Sequence, residues 1–421
     1  MTLKKLAQLW HRFFFAPMRV ETLSLYRIFF GFLMFRNALS LWPDVLTWYG
    51  PRGVMSLQTS LLERSSNWFN LFPWLPDTEL TAKTILICAT VAGMFLMLGL
   101  FSRLASVALF VLTTSLHSRN LMILNSGDHL LRIVAFFMMF LPVGAAYSLD
   151  SLLRTLGGGT PRRKRTFCPW PFRLIQIQIC IVYLVTTLLK TQGAPWLDGN
   201  ALYYAIHLDS FRKYVLPDFL LSPLMLKLQT WGTLLVEFSL GTLIWFKDLR
   251  YFLICAGVAL HLGIEYTMDI PLFEWTMIFS LLLFVDPWDI KRSLRWIRLK
   301  VNRKFGPPLT VFYDGECAFC VRSIHFLGLA DILGRVRWLN FRNLSPSERL
   351  SPDPERAEGE LMLLIPEGTW LGGFDAFRAL AWRLPLFWIT APFLYLPGAR
   401  PLGSRTYRWI ARNRTRIMVF T

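Results

Sequence analysis

Charge is scarce in this sequence, and acidic charge scarcest. Only 17% of the 421 residues are charged, with 27 Asp and Glu against 45 Lys and Arg, where soluble domains carry about 25%. Six cysteines and six histidines are scattered along the chain. That excludes a secreted disulfide framework, and the histidines lack metal-ligand spacing within any one element. The N-terminus, MTLKKLAQLWHRFFFAPMRV, has no small-residue cleavage site before the first long apolar run. It reads as a retained amphipathic helix over 1–20 on a membrane surface rather than as a signal peptide.

What is present in excess is apolar. The chain holds 17 Trp and 35 Phe, and its mean hydropathy is +0.41. Residues 84–101, TILICATVAGMFLMLGLF, carry no charge over 18 positions, close to the roughly 20 needed to cross hydrocarbon. Hydropathy predicts about eight spans, near 22–42, 83–101, 103–117, 130–147, 172–190, 228–246, 250–267 and 271–287. Cys88, Cys180 and Cys255 fall inside such segments and read as small hydrophobes.

Charge asymmetry orients the spans. The loop 154–165, RTLGGGTPRRKR, has five basic residues and no acidic one; 291–304, KRSLRWIRLKVNRK, has seven and none. By contrast, 43–82 has two basic and four acidic residues, and 264–274 has three acidic and no basic residues. With eight spans and the N-terminus inside, every basic loop falls on the cytoplasmic side, as the positive-inside bias requires. This predicts a bacterial inner-membrane protein with both termini in the cytoplasm. The run PRRKR is short and has no stacking aromatics nearby, so a nucleic-acid surface is not expected.

Ionisable residues inside spans are costly and suggest function. Arg27 and Arg36 lie in the first predicted span, Arg132 in the fourth, and Glu237 in the sixth. Pairing of Arg27 or Arg132 with Glu237 would serve packing alone. His261 and Glu265 are spaced i,i+4 and share a helix face. Lys190 closes the fifth span, and Asp128 and His129 open the fourth. In the derived topology Asp128, His129, Lys190, His261 and Glu265 all lie toward the outer side. A Lys in a dry, partly apolar site can act as a base.

The pieces LSLYRIFFGFLMF, HSRNLMILNSGDHLLRIVAFFMMFLPVGAAYSLD, FRLIQIQICIVYLVTTLLKTQGAPWLDGNALYYA and LVEFSLG resemble the HTTM domain. That domain is shared by bacterial proteins and the vitamin K-dependent γ-carboxylase, and the resemblance covers roughly 18–290. It implies that Lys190 matches a base acting on reduced vitamin K. His129, or equally Asp128, and His261 would border the same pocket, so the bundle would admit a lipid-soluble, quinone-like molecule. Nothing resembles the carboxylase's lumenal part that handles its peptide, so peptide γ-carboxylation is not expected.

After the membrane segment 21–290, a basic linker over 291–308 leads to a second domain, 309–421. LTVFYDG (309–315) reads as a buried strand ending in an Asp-Gly turn at Asp314 and Gly315, and CAFCVRSIHFLGLAD has helical periodicity. Cys317 then sits at a helix N-terminus, where unpaired N–H groups favour a thiolate, while Asp314 and Glu316 oppose it. Cys320 lies one turn on, near enough to resolve a mixed disulfide. VRWLNF (336–341) and ELMLLI (360–365) read as further strands. The tail LPLFWITAPFLYLPGARPLGSRTYRWIARNRTRI is helical, apolar and then basic, suited to rest on the inner leaflet. Zinc would need two more ligands, with His325, Cys168 and His11 the candidates, and that shortage favours redox chemistry.

YDGECAFC, GGFDAFRAL and YRWIARNR resemble the DCC thiol–disulfide oxidoreductase family over 309–416. The resemblance implies a thioredoxin-like fold with Cys317 as nucleophile and Cys320 as resolving thiol. The expected fold class is therefore a polytopic α-helical membrane bundle plus a C-terminal α/β thioredoxin-like domain. Its expected partners are a thiol/disulfide protein, the membrane and a lipid-soluble small molecule. The rival class is a non-catalytic transporter or scaffold with an accessory redox domain.

Overall fold

The computed structural model describes residues 2–63, 69–156, 166–344 and 352–417. Most of the basic loop 154–165 lies outside the described residues. The chain divides into two compact units, one of residues 1–150 and 164–287, the other of 151–163 and 288–421.

The first unit is helical. It runs α1 (Leu3–Phe15), β1 (Met18–Arg19), α2 (Glu21–Ser40), the short α3 (Val45–Tyr49) and α4 (Leu57–Leu62), α5 (Glu79–Leu98), α6 (Ser102–Arg119) and α7 (Ser126–Met138). After α8 (Leu149–Leu156) it continues with β2 (Thr166–Phe167), α9 (Trp170–Lys190), the short α10 (Ala194–Leu197) and α11 (Ala201–Ile206), α12 (Pro223–Thr242), α13 (Lys247–Thr267) and α14 (Phe273–Leu281). A helix occupies each of the eight predicted stretches. Among the described residues, α5, α9 and α13 are long and apolar enough to cross a membrane by length and composition.

Small residues set the closest helix crossing. At Gly31 of α2 a Cβ would collide with the backbone of Leu96 and Met97, and at Gly93 of α5 with the backbone of Met34 and Phe35. The two helices thus meet backbone to backbone, a packing mode that works where lipid removes the hydrophobic drive between helices. Leu23, Phe30, Leu96, Val134, Phe172, Ile175, Leu240 and Leu281 form one core across α2, α5, α7, α9, α12 and α14.

The second unit takes in α15 (Pro287–Phe305), so most of the predicted linker is helical. It contains β3 (Leu309–Tyr313), α16 (Ala318–Ala330), β4 (Val336–Asn340), α17 (Pro354–Gly359), β5 (Met362–Leu364), β6 (Trp370–Gly372), α18 (Gly373–Ala381) and α19 (Ala399–Ile417). The sheet order is β4-β3-β5-β6. β3 and β4 are parallel across the α16 crossover, whereas β5 is antiparallel to both β3 and β6. Both faces of β3 are covered. Val311 packs with Ile324 and Leu327 of α16 and Leu380 of α18, while Phe312 packs with Ala357 of α17 and Met362 of β5. Within this unit Arg335, just before β4, ties α15 to the sheet by donating to Asn302 Oδ1 and to the carbonyls of Phe305 and Gly306.

Candidate functional site

Two arrangements carry the chemistry-bearing residues, one in each unit. In the helical unit α9 supplies Tyr183 and Lys190, two turns apart on one face. Lys190 Nζ donates to Glu237 Oε1 of α12 at 2.5 Å and stands 4.7 Å from the centre of the Trp196 ring. Glu237 is buried, and its Oε2 has no hydrogen-bond partner among the described residues. Two turns earlier along α9, Tyr183 Oη meets His261 Nε2 of α13 at 2.8 Å, and His261 Nδ1 meets Glu274 Oε2 of α14 at 2.5 Å. All three of these side chains are buried.

Several expected pairings are different. Glu237 pairs with Lys190 rather than with Arg27 or Arg132. Arg27 instead donates to the carbonyls of Leu96, Met97 and Tyr147 at 2.5–2.9 Å, because its side chain reaches the last turn of α5, where carbonyls have acceptor capacity to spare. Arg132 contacts His129 Nδ1 at 3.0 Å. Glu265 turns from the shared face toward Lys213, 2.8 Å away. Asp128 closes a capping box with Asn125 at the start of α7 and lies 3.8 Å from His117. His261 of α13 thus meets Tyr183, and Lys190 meets Glu237 two turns further along α9, while His129 and Asp128 belong to the cluster at the start of α7.

Tyr183 and Glu274 were missed by sequence reasoning. Tyr183 stood in view two turns before Lys190, but it carries no charge. Glu274 was counted among the acidic loop residues of 264–274, although it sits inside the last apolar stretch.

In the second unit the turn after β3 is built from its own polar atoms. The Glu316 N–H donates to Asp314 Oδ1 at 3.0 Å, and the Gly315 N–H donates to Asn340 Oδ1 at 3.1 Å. A Cβ at Gly315 would overlap the Asn340 side-chain amide, so glycine leaves room for that amide to close on the turn. Arg342 grips Asp314 through Nε and Nη2 at 2.5 and 3.2 Å. That pairing holds the Asp314 carboxyl below its ordinary range.

Cys317 is the N-cap of α16, its Sγ accepting the Cys320 N–H at 3.3 Å. The two sulfurs are 2.7 Å apart. Burial, with the Cys317 contact second, pushes the Cys320 thiol up to about 12. One sulfur therefore sits at the positive end of a helix, and its neighbour keeps its proton. That is a division of labour suited to attack by the first and resolution by the second.

GGFDAFRAL and YRWIARNR pack around Glu360 and Leu361, just before β5. At Gly372 and Gly373 a Cβ would meet the Glu360 carboxylate, and Gly373 has φ +59°. Tyr407 of α19 accepts the Leu361 N–H at 2.7 Å, docking α19 on the start of β5. His325 is exposed on α16. Among the described residues no group of three or more His, Cys, Asp or Glu is gathered to hold a metal. A cavity of about 500 Å³ beside Leu46, Gly50 and Glu79 contains none of the predicted site residues.

Apolar helices with ion pairs buried among them, joined to a small sheet domain with a dithiol at a helix start, define a membrane protein with a thiol-chemistry domain. The chain belongs to the HTTM domain family, whose model matches residues 15–288. A DCC1-like thiol-disulfide oxidoreductase domain follows at 311–420. The chain is also similar to the "Uncharacterized protein YitO" of Bacillus subtilis (strain 168), with 24% identity over 243 residues, 56% of this chain and 73% of that protein. No solved structure matches.

Proposed function

We propose that this is a membrane-bound thiol–disulfide redox protein whose dithiol is Cys317 and Cys320. The observation that carries the reading is the Cys317 sulfur at the N-cap of α16 beside a Cys320 thiol pushed up to about 12. In the working direction toward a partner disulfide, Cys317 attacks one partner sulfur, forming a mixed disulfide and releasing the other as a thiol. Cys320 then gives up its proton and attacks Cys317 Sγ, which releases the second partner thiol. Two electrons and two protons pass to the partner. The β4-β3-β5-β6 order, with one parallel pair and two antiparallel pairs, supports a thioredoxin-like fold for this unit.

The helical unit would cross a bacterial inner membrane eight times with both termini and the dithiol in the cytoplasm, a reading supported by the charge asymmetry of the loops. Leu3, Leu6 and Trp10 are exposed along α1, which suits a helix lying on the membrane surface. Lys190, Tyr183 and His261 would form a proton-handling site for a lipid-soluble, quinone-like molecule. The half-satisfied Glu237 carboxylate supports that role.

In the full chain, Cys320→Ser should trap a mixed disulfide with a partner through Cys317, visible on non-reducing gels. At pH 8 the wild-type Cys320 should alkylate more slowly than an ordinary thiol. Failure to trap any partner, together with a Cys317 inert to alkylation, sinks the proposal. Labelling of Cys317 by a membrane-impermeant reagent outside intact cells would reverse the orientation.

A further inference from the structure

A groove of about 760 Å³ opens between α16, α18 and α19, and Cys320 forms part of its wall. That volume lies in the range of about 300–1,000 Å³ that holds small organic ligands. Most of the lining is apolar, including Phe326, Leu361, Phe377, Leu402 and Ile410. Few polar groups reach the groove, and four of them already hold partners. Asp314 is held by Arg342, Tyr407 accepts the Leu361 N–H, Glu360 accepts from Arg356, and Arg414 donates to the Glu358 carbonyl.

A peptide would bring a backbone N–H and C=O at every residue, for which this mostly apolar wall offers few partners. A hydrocarbon chain brings none. The Cys320 thiol is the redox-active group in the wall, so the occupant's head must be one that accepts electrons from a dithiol. Outside the groove, Trp388, Ile389, Phe393, Leu396 and Trp409 are exposed, and α19 carries Arg400, Arg405, Arg408 and Arg412. Aromatic, aliphatic and basic side chains together are the composition of a membrane-water interface.

From these observations we infer that the groove is a binding site for a lipid-soluble quinone, its tail along α16, α18 and α19 and its ring at the Cys317–Cys320 pair. The inference rests on the dithiol reading and names the electron acceptor. The step balances. Cys317 sulfur adds to a ring carbon, and Cys320 attacks Cys317 Sγ, so that an S–S bond forms as the S–C bond breaks. The electron pair and the two thiol protons go to the ring oxygens, and a hydroquinone leaves. This places a second apolar site in the chain, in the other unit from Lys190.

The test uses the full chain, reduced, in nanodiscs. Dithiol oxidation is timed with a tetrasubstituted benzoquinone bearing a decyl tail and with its methyl counterpart; full substitution prevents stable arylation. The tailed quinone should react at least about tenfold faster, and Ala411→Trp or Thr406→Trp should remove that advantage while leaving oxidation by a water-soluble disulfide unchanged. An advantage equal in wild type and both variants means the tail acts only through the bilayer, and it overturns the inference. If the soluble disulfide oxidises the dithiol but neither quinone does, the groove assignment fails and the redox reading survives. If nothing oxidises it, both fail. Should the variants misfold, a diazirine-tailed quinone on the native chain decides: adducts on α16, α18 or α19 support the site, and adducts confined elsewhere overturn it.

Discussion

Arg27 and Lys190 are both cations on apolar helices of the same unit, yet they are held in opposite ways. Arg27 is fully buried and spends its guanidinium on the carbonyls of Leu96, Met97 and Tyr147. Arg119 does the same with Met55 and Gly50. Their bonds go to fixed backbone, which cannot titrate or move away. Lys190 faces a carboxylate, an aromatic ring and partial exposure, and its partner keeps one oxygen unbonded. A buried charge that completes a helix end is part of the frame. One whose partner remains half-satisfied can still exchange a proton or receive a ligand.

The largest effect that would sharpen this contrast is at Arg27. Arg27→Met strips a donor from each of the carbonyls of Leu96, Met97 and Tyr147, of which Leu96 keeps the Gly99 N–H, and a buried polar group that loses its hydrogen bond costs about 1–3 kcal/mol. A loss of about 2–4 kcal/mol is expected, read as a lowered melting temperature of the full chain in nanodiscs and a reduced folded yield. Lys190→Met should cost less. It strands the Glu237 carboxylate, but Lys190 is about a quarter exposed, which brings the penalty of a broken buried pair down to about 1–3 kcal/mol. The double variant Lys190→Met with Glu237→Gln should recover most of that. A tolerated Arg27→Met, or a double variant no better than Lys190→Met alone, would break the comparison.

How much of this was readable beforehand differs between the two units for a physical reason. The dithiol turn is local: Asp314, Gly315, Cys317 and Cys320 lie within seven consecutive positions, so strand end, turn and helix start were all visible in the order of residues. The buried network is tertiary. Lys190, Glu237, His261 and Glu274 come from four helices, and nothing in their spacing says that Glu237 takes Lys190 while Arg27 takes backbone. Span hydropathy located each helix, but it gave no partners. β6 and α18 escaped notice because Trp370–Gly372 is three residues long and its role depends on Glu360 fitting against two glycines. The groove beside Cys320 was equally hidden, since its walls are three helices that meet only in the fold.

The smallest expected effect concerns a charge pair at the edge of the second unit. Arg342 holds Asp314 below its ordinary range, so on acidification the unfolded chain takes up this proton first. The stability due to the pair is fully present above about pH 4 and is lost as pH falls through the lowered folded value. Arg342→Gln removes the cause. Calorimetry of the full chain should then show the wild-type advantage in the transition that this substitution shifts at neutral pH, and a shrinking gap below pH 4. Because Arg342 is partly exposed, added salt should narrow the same gap at pH 7, whereas it should leave the effect of Arg27→Met untouched. A gap that persists undiminished at pH 3 would mean that Arg342 steadies the dithiol turn by packing, as Arg27 steadies α5 by its bonds to backbone, and not through its charge on Asp314.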